Sequence, residues 1–456
     1  SGLNAITMVN PHALVEAAEV DAILAAGGGV GRLACAPILV KDNFDTEGLP
    51  TTGGSSALRG SIAEDDADMV GRLREAGAIV VAKTNMAEWA FSPRQTVSSS
   101  YGRTANAYSL AHVPAGSSGG TASGVAASFG VAGLGSDTGN SIRGPAAHLA
   151  LFGIRSTLGL TSRDGVIPLV FDRDVAGPMT RTVADGALLF DVIAGTDPAD
   201  PYTHAADGHR EENYTRRLRR DGLVGARIGV LRTLAPPDDS DPEVLALFEQ
   251  ALDDLEQAGA TIIDAVEIAN LDVHLQADYF CNRFRFDLAN YLRGLPAPPF
   301  IDVRDLLASG EHVAGSADAL DYFASGPLDT HPRDADPACP DFELHPGRQA
   351  FLADVTNAMD AAGVSALVYP GWTWPPAALD RGDEDYRGDN SQLIAPATGM
   401  PAVSVPMGFT RHETLPAGLQ LLGRRWEDGR LIQFAYAFEQ ATLHRRPPPE
   451  FPELPD

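Results

Sequence analysis

The segment Pro114-Ala115-Gly116-Ser117-Ser118-Gly119-Gly120-Thr121 is the densest cluster of glycine and serine in the chain. A serine hydroxyl there becomes a nucleophile once a base removes its proton. Gly116, Ser118 and Gly120 satisfy G-x-S-x-G, the pattern of an elbow that sets serine between a hydrophobic strand and a helix. The residues ahead of it, Tyr108 to Pro114, make no such strand, and no downstream Asp and His pair announces itself. The elbow reading is therefore set aside. A base of another kind is suggested by the cations. Two lysines, Lys41 and Lys83, stand against 32 arginines. Nucleotide composition bias accounts for the general replacement, and it makes each surviving lysine informative. Lysine gives up its proton when desolvated and arginine does not, so a site that needs a neutral amine could not accept arginine.

A better account joins three segments: Val40-Lys41-Asp42-Asn43, Gly116 to Gly120, and Gly135-Ser136-Asp137-Thr138-Gly139-Asn140-Ser141-Ile142-Arg143. Together they resemble the amidase signature family, whose Ser-Ser-Lys hydrolases carry a KD motif after a short strand, a GSSGG loop and a G-[ST]-D-x-G-x-S-[IV]-R motif. Ser117 and Ser141 lie 24 positions apart, as in that family. Lys83 to Glu88 resembles its KTNMxE segment, Thr398 to Pro406 its TGxPAxSVP strand and Gly418 to Gly423 its GLQLxG strand. The resemblance covers nearly the whole chain.

The resemblance implies roles residue by residue. Ser141 is the nucleophile, and Ser117, following a cis Gly116-Ser117 bond, bridges it to Lys41, the base. Backbone amides of Thr138, Gly139, Asn140 and Ser141 make the oxyanion hole. Ser118, Asp137 and Arg143 support the network. Lys41 must then be neutral at working pH, so local burial has to outweigh the chain's negative charge, and Asp42 is expected to turn away. The family usually has glycine where this chain has Asn140. Asparagine tolerates a left-handed backbone, and its side chain is expected to narrow the pocket or hydrogen-bond within it. Lys83 reads as structural, held by backbone carbonyls. His112 and His148 read as satisfied polar residues. Trp372 and Trp374 read as core or pocket wall, with the wall favoured. The implied reaction is hydrolysis of a carboxylic acid amide, or an ester, through an acyl-enzyme, without metal or cofactor. A second reading is a glutamine-hydrolysing A-type subunit of a tRNA-dependent amidotransferase. The identity of the amide is not legible; the aromatics of 270–342 favour a hydrophobic acyl group.

The elements that must position these residues follow from periodicity and punctuation. Short apolar runs predict strands at 36–40, 78–82, 131–135, 226–231, 261–266, 366–369, 402–405 and 418–422. Helices are predicted at 10–26, opened by Asn10-Pro11, and at 66–76, 119–129, 182–194 and 431–443, with another opened by the Asp241 cap. Strands interleaved with helices predict an α/β fold. The resemblance sharpens this to one domain over 1–456, with a large central mixed β-sheet flanked by helices on both faces. The stretch 270–342 concentrates aromatics and turn residues, and is read as a variable region of helices and loops laid over the site.

Composition excludes other classes. The net charge of −27 argues against a nucleic-acid partner and against an anionic membrane surface. Arg216, Arg217, Arg219 and Arg220, the only basic cluster, read as a helix C-terminus. No apolar run reaches the ~18 residues of a membrane span. Cys35, Cys281 and Cys339 are far apart and without metal-ligand spacing, so neither a disulfide nor a zinc site is expected. The expected partner is a small-molecule amide, for a monomer or homodimer. A start at Ser1-Gly2 reads as processed, and a cytoplasmic setting is expected ahead of a secreted one.

Overall fold

A computed structural model describes residues 2–452. Its strands in chain order are β1 (Ile6–Val9), β2 (Pro37–Lys41), β3 (Ile79–Thr84), β4 (Val97–Ser98), β5 (Gly102–Arg103), β6 (Ala132–Asp137) and β7 (Phe152–Arg155). They continue with β8 (Val175–Thr180), β9 (Arg227–Val230), β10 (Thr261–Ile263), β11 (Ala366–Pro370), β12 (Ala402–Thr410) and β13 (Leu415–Leu422). Strands β4 and β5 pair as a separate ribbon. The other eleven form one sheet in the order β1-β3-β2-β6-β8-β7-β12-β13-β11-β9-β10. It is mixed: β2 runs parallel to both β3 and β6, whereas β8 runs antiparallel to β6 and β7.

Alternation along the strands sends side chains to two cores. Ile38 and Val40 of β2 join the helices Val183–Ile193, Pro242–Gln257 and Asp428–Thr442 on one face. Leu39 joins Val125 of the helix Gly119–Ala126 and Ala146 of the helix Arg143–His148 on the other. The helix Pro346–Ala362 adds Phe351, Val355 and Met359 against Leu367 and Leu422. Both faces of the sheet are therefore covered, as expected.

The sequence reading missed β1, β7 and β8. Glycine and proline interrupt the apolar pattern of β7 (Phe-Gly-Ile-Arg) and β8 (Val-Ala-Gly-Pro-Met-Thr), yet pairing on both sides buries every residue of β8. The first helix runs Ala13–Ala25 and has no side-chain cap. Asn10 is instead buried, donating from Nδ2 to the Val80 carbonyl at 2.7 Å. Arg216 and Arg217 close a single 3-10 turn, Tyr214–Arg217, with Arg219 and Arg220 beyond it, so the cluster does not end an α-helix. Arg216, Arg217 and Arg219 pair with Glu212, Glu211 and Asp221.

The stretch 270–342 carries the helices Leu271–Gln276, Phe284–Arg293, Val303–Ser309 and Ala317–Ala324. Phe284, Leu288, Leu320 and Phe323 pack on Met86, Trp89, Leu169 and Val170 of the sheet's loops. A disulfide joins Cys281 to Cys339, with Cα atoms 5.9 Å apart, and corrects the expectation of unpaired thiols. No spacing rule reveals a bridge across 58 residues. Cys35 is the exposed free thiol.

Small residues let the helix Gly119–Ala126 lie close to the sheet. A Cβ on Gly120 would fall 2.1 Å from the Asn85 carbonyl oxygen, and one on Gly133 would fall 2.4 Å from Thr121 Cγ2. Backbone cannot yield as a side-chain tip can. Gly120→Ala is therefore expected to lower stability by ~1–3 kcal/mol, read as a reduced urea midpoint at unchanged m-value.

Candidate active site

The three motif segments converge at one end of β2 and β6. Lys41 is the last residue of β2 and is fully buried. Its Nζ donates to Ser117 Oγ at 2.7 Å and to Ser136 Oγ at 2.8 Å. Ser117 follows a cis Gly116-Ser117 bond, and its carbonyl accepts from the Ala87 amide. Ser118 Oγ donates to the Ser136 carbonyl at 3.2 Å. Ser136, with Asn43 as a second donor at 3.0 Å, was not singled out from the sequence. Its signal lay inside the GSDT motif: a buried amine carries more than one N–H and needs more than one hydrogen-bond partner.

Burial lowers the Lys41 amine to about 7, against the opposing pull of Asp137 and Asp174. Asp42 turns away as expected. Its carboxylate accepts from Thr52 Oγ1 and from the Gly54 amide. Lys83 donates to the Phe44 carbonyl and to Thr51 Oγ1, so one of its two acceptors is a hydroxyl and not a carbonyl.

Asp137 ends β6 and fixes the turn that follows. Arg143 meets it with Nε on Oδ2 and Nη2 on Oδ1, both at 3.1 Å. Arg155, a residue of β7 not foreseen, adds Nη1 at 3.0 Å, and the Ile142 amide donates to Oδ2. Burial would raise the Asp137 carboxyl, but the two guanidinium groups prevail and hold it down at about 2. Arg143 also donates to the Gly139 carbonyl at 2.6 Å and to Gln420 Oε1, so the GLQL strand contributes through Gln420. Thr138 Oγ1 donates to Asp174, which accepts in addition from the Leu169 and Val170 amides.

The result is a buried turn, with Gln392 Oε1 lying against Gly139. Among the described residues, the backbone N–H groups of Thr138, Gly139, Asn140 and Ser141 donate to no protein acceptor. Four unsatisfied donors on consecutive residues are rare in a folded chain. Free donors of this kind suit a developing negative charge.

Ser141 Oγ is not hydrogen-bonded to Ser117. It donates to Asn140 Oδ1 at 3.4 Å. The Asn140 carboxamide in turn donates to Asp389 Oδ2 at 2.9 Å and to the Pro93 carbonyl. Asp389 also accepts from Tyr386 Oη and the Ser391 amide, and its burial raises it to about 7. Asn140 does not have a positive φ, so no left-handed conformation is being tolerated there. Its consequence is the hydrogen bonding, as expected, and not the backbone.

His112 is satisfied by Ser109 Oγ at 2.8 Å. His148 corrects the reading of a satisfied residue: neither ring nitrogen has a hydrogen-bond partner, and burial drives its pKa down to about 3. Its ring lies against Trp372, 4.4 Å between centroids and tilted by 36°. Trp372 is buried against Ala115, Ala147 and Tyr386, beside the Asn140 turn. Trp374 lies elsewhere, under Arg387.

A sheet of eleven strands with this constellation at one end defines an amide-hydrolysing enzyme class, and comparison agrees. The Amidase family model matches residues 1–432, and the chain belongs to the amidase signature family. Hydrolysis of amide C–N bonds by a Ser-Ser-Lys triad through an acyl-enzyme is general to that family. The chain is 35% identical over 469 residues to the A-type subunit of the glutamyl-tRNA(Gln) amidotransferase from Symbiobacterium thermophilum, covering 98% of this chain and 91% of that protein. It is also 35% identical to the native peptide amidase of Stenotrophomonas maltophilia, with a TM-score of 0.86 over 98% of this chain and 90% of that one. The A-type subunit of the glutamyl-tRNA(Gln) amidotransferase from Thermotoga maritima superposes with a TM-score of 0.70 at 28% identity, over 90% and 84% of the two chains. Among the described residues no helix is long and apolar enough to cross a membrane.

A buried amine brought from 10.5 to about 7 leaves its mark on stability. Between those values the unfolded chain binds more protons than the folded one, so stability rises with pH across that window. Measured by urea unfolding from pH 7 to pH 10, the native protein is expected to gain stability relative to Lys41→Met, whose position 41 does not titrate.

Proposed function

We propose that the chain is a self-standing amidase in which Lys41, Ser117 and Ser141 form the relay. The observation that carries this reading is the 2.7 Å contact of a buried Lys41 amine with Ser117, beside a Ser141 turn of four unsatisfied amides. Neutral Lys41 accepts the Ser117 proton as Ser117 accepts that of Ser141. Ser141 Oγ bonds to the amide carbon, and the oxyanion rests on the amides of residues 138–141. The C–N bond then breaks as the proton returns through Ser117 to the leaving nitrogen. Water cleaves the acyl-enzyme by the same route in reverse. Before attack the Ser141 hydroxyl must turn from Asn140 to Ser117. Ser118, Asp137 and Arg143 hold the frame, and the helices of 270–342 cover the site.

The second reading, a glutamine-hydrolysing component of an amidotransferase, draws support from curated relatives that carry that name over almost the whole chain. The self-standing reading is preferred because the superposition on the peptide amidase is better, 0.86 against 0.70 in TM-score. A panel of primary amides and anilides, glutamine included, separates the two: hydrolysis of glutamine alone would favour the amidotransferase component.

Ser141→Ala is expected to abolish turnover and fluorophosphonate labelling, and Ser117→Ala to leave slow labelling. Lys41→Arg should fold, by circular dichroism, yet lose ~10²-fold or more in kcat/KM, because guanidinium cannot shed its proton. Lys83→Arg should lose far less. The native kcat/KM should rise with pH through about 7, as Lys41 becomes neutral. None of these steps uses a metal, so EDTA should leave the rate unchanged. Asn140→Gly removes the competing acceptor of Ser141. One neutral hydrogen bond is worth ~1 kcal/mol, so labelling should quicken about fivefold.

A further inference from the structure

Among the described residues, buried arginines are paired, with one exception. Arg143 and Arg155 meet Asp137, Arg163 meets Asp200, Arg348 meets Asp172 and Arg283 meets Asp287. Arg173 is 7% exposed, and among the described residues its guanidinium has neither an ion pair nor a hydrogen-bond acceptor. Of the carboxylates on either side of it in sequence, Asp174 is taken by Thr138 and two backbone amides, and Asp172 pairs through Oδ2 with Arg348 while its Oδ1 makes no hydrogen bond. The guanidinium lies over the Phe280 ring, 5.2 Å from its centroid. A buried cation without a direct partner costs stability, and the nearby Asp172 and Asp174 offset that cost only in part.

Its place in the fold gives the reason. Val175, the first residue of β8, pairs with Asp137, the last of β6, so the preceding Asp174 and Arg173 run alongside the turn that begins at Thr138. The hydrogen bond from Thr138 to Asp174 closes that approach, and Arg155 ties the Asp137 carbonyl to the Arg173 carbonyl. The backbone at Arg173 is therefore fixed at the rim of the amide-lined turn. Burial, with Arg348 and Arg155 close by, lowers the guanidinium to about 9 against the opposing pull of Asp172 and Asp174, and it stays charged at neutral pH. A planar fork of donors held on one face by an aromatic ring suits a carboxylate, which it meets with two parallel hydrogen bonds.

We propose that Arg173 is a specificity-determining residue that binds a carboxylate carried by the amide substrate, with Phe280 of the 270–342 region holding the guanidinium in place. The proposal rests on the hydrolytic reading of Ser141 and adds the charge of the substrate to it. The carboxylate completes the pairing that the fold leaves open. The chain's net charge of −27 repels anions in general, so this recognition is local.

The test uses matched amides that differ in one charge: succinyl against butyryl p-nitroanilide for the acyl side, and 4-acetamidobenzoate against acetanilide for the amine side. Native enzyme should favour the charged member of one pair. Arg173→Met should raise KM for that member by about tenfold or more, the worth of a charge-assisted hydrogen bond, with kcat and the neutral member nearly unchanged. Arg173→Lys should recover part of the loss. Labelling by a neutral fluorophosphonate should be equal in all three proteins, which keeps failure at Arg173 distinct from failure of the Ser141 reading. Binding is read independently of turnover in the Ser141→Ala protein, where the charged amide should raise Tm and the added Arg173→Met change should abolish the rise. Equal effects on charged and neutral members, or no Tm difference between them, would overturn the proposal.

Discussion

The arrangement depends on keeping an amine dry. Lys41 sits at the tip of a strand paired on both sides, and its hydrogen bonds go to serine hydroxyls, not to carboxylates. A carboxylate in contact would fix the charge and raise the pKa; two hydroxyls satisfy the amine without doing so. The neighbourhood keeps its acids occupied in a consistent way. Asp42 is spent on Thr52 and Gly54, Asp137 on two arginines, and Asp174 on Thr138 and backbone amides. In a chain with 61 acidic residues, that segregation has to be built by the fold.

Asp137 is the second support. Two arginines from different elements and two backbone amides converge on one carboxylate, and one of those arginines reaches on to the Gly139 carbonyl. The turn is held by its Gly139 carbonyl and by the Asp137 side chain that precedes it, which leaves its N–H groups uncommitted. A buried pair of this kind contributes little net stability against an apolar substitute. It fixes geometry, and the surrounding strands supply the stability.

Much of the site was legible because it is made from contiguous motifs. Lys41, Ser117, Asp137 and Ser141 each sit in a short string of residues whose types are dictated by the chemistry, and the small residues of 119–126 announce a close approach. What the sequence hid was long-range. Arg155 lies in a strand interrupted by glycine, and Ser136 and Asn43 read as filler within motifs that name other residues. Asp389 meets Asn140 across 249 positions. The Cys281–Cys339 bridge and the unpaired state of His148 belong to the same class. Periodicity reports which face of an element is apolar; it does not report which distant polar group will arrive there.

The scarcity of lysine has a consequence on the outside of the molecule. Both lysines are fully buried and both are committed to internal hydrogen bonds. All other side-chain cations are arginines, so the surface of the described residues offers no ε-amino group. Acyl donors that react with amines, such as activated esters and anhydrides, therefore meet no lysine there. An enzyme that forms activated acyl groups on serine presents no primary amine side chain of its own to intercept them. For the same reason, amine-coupling chemistry cannot anchor this protein through its lysines without first opening the core.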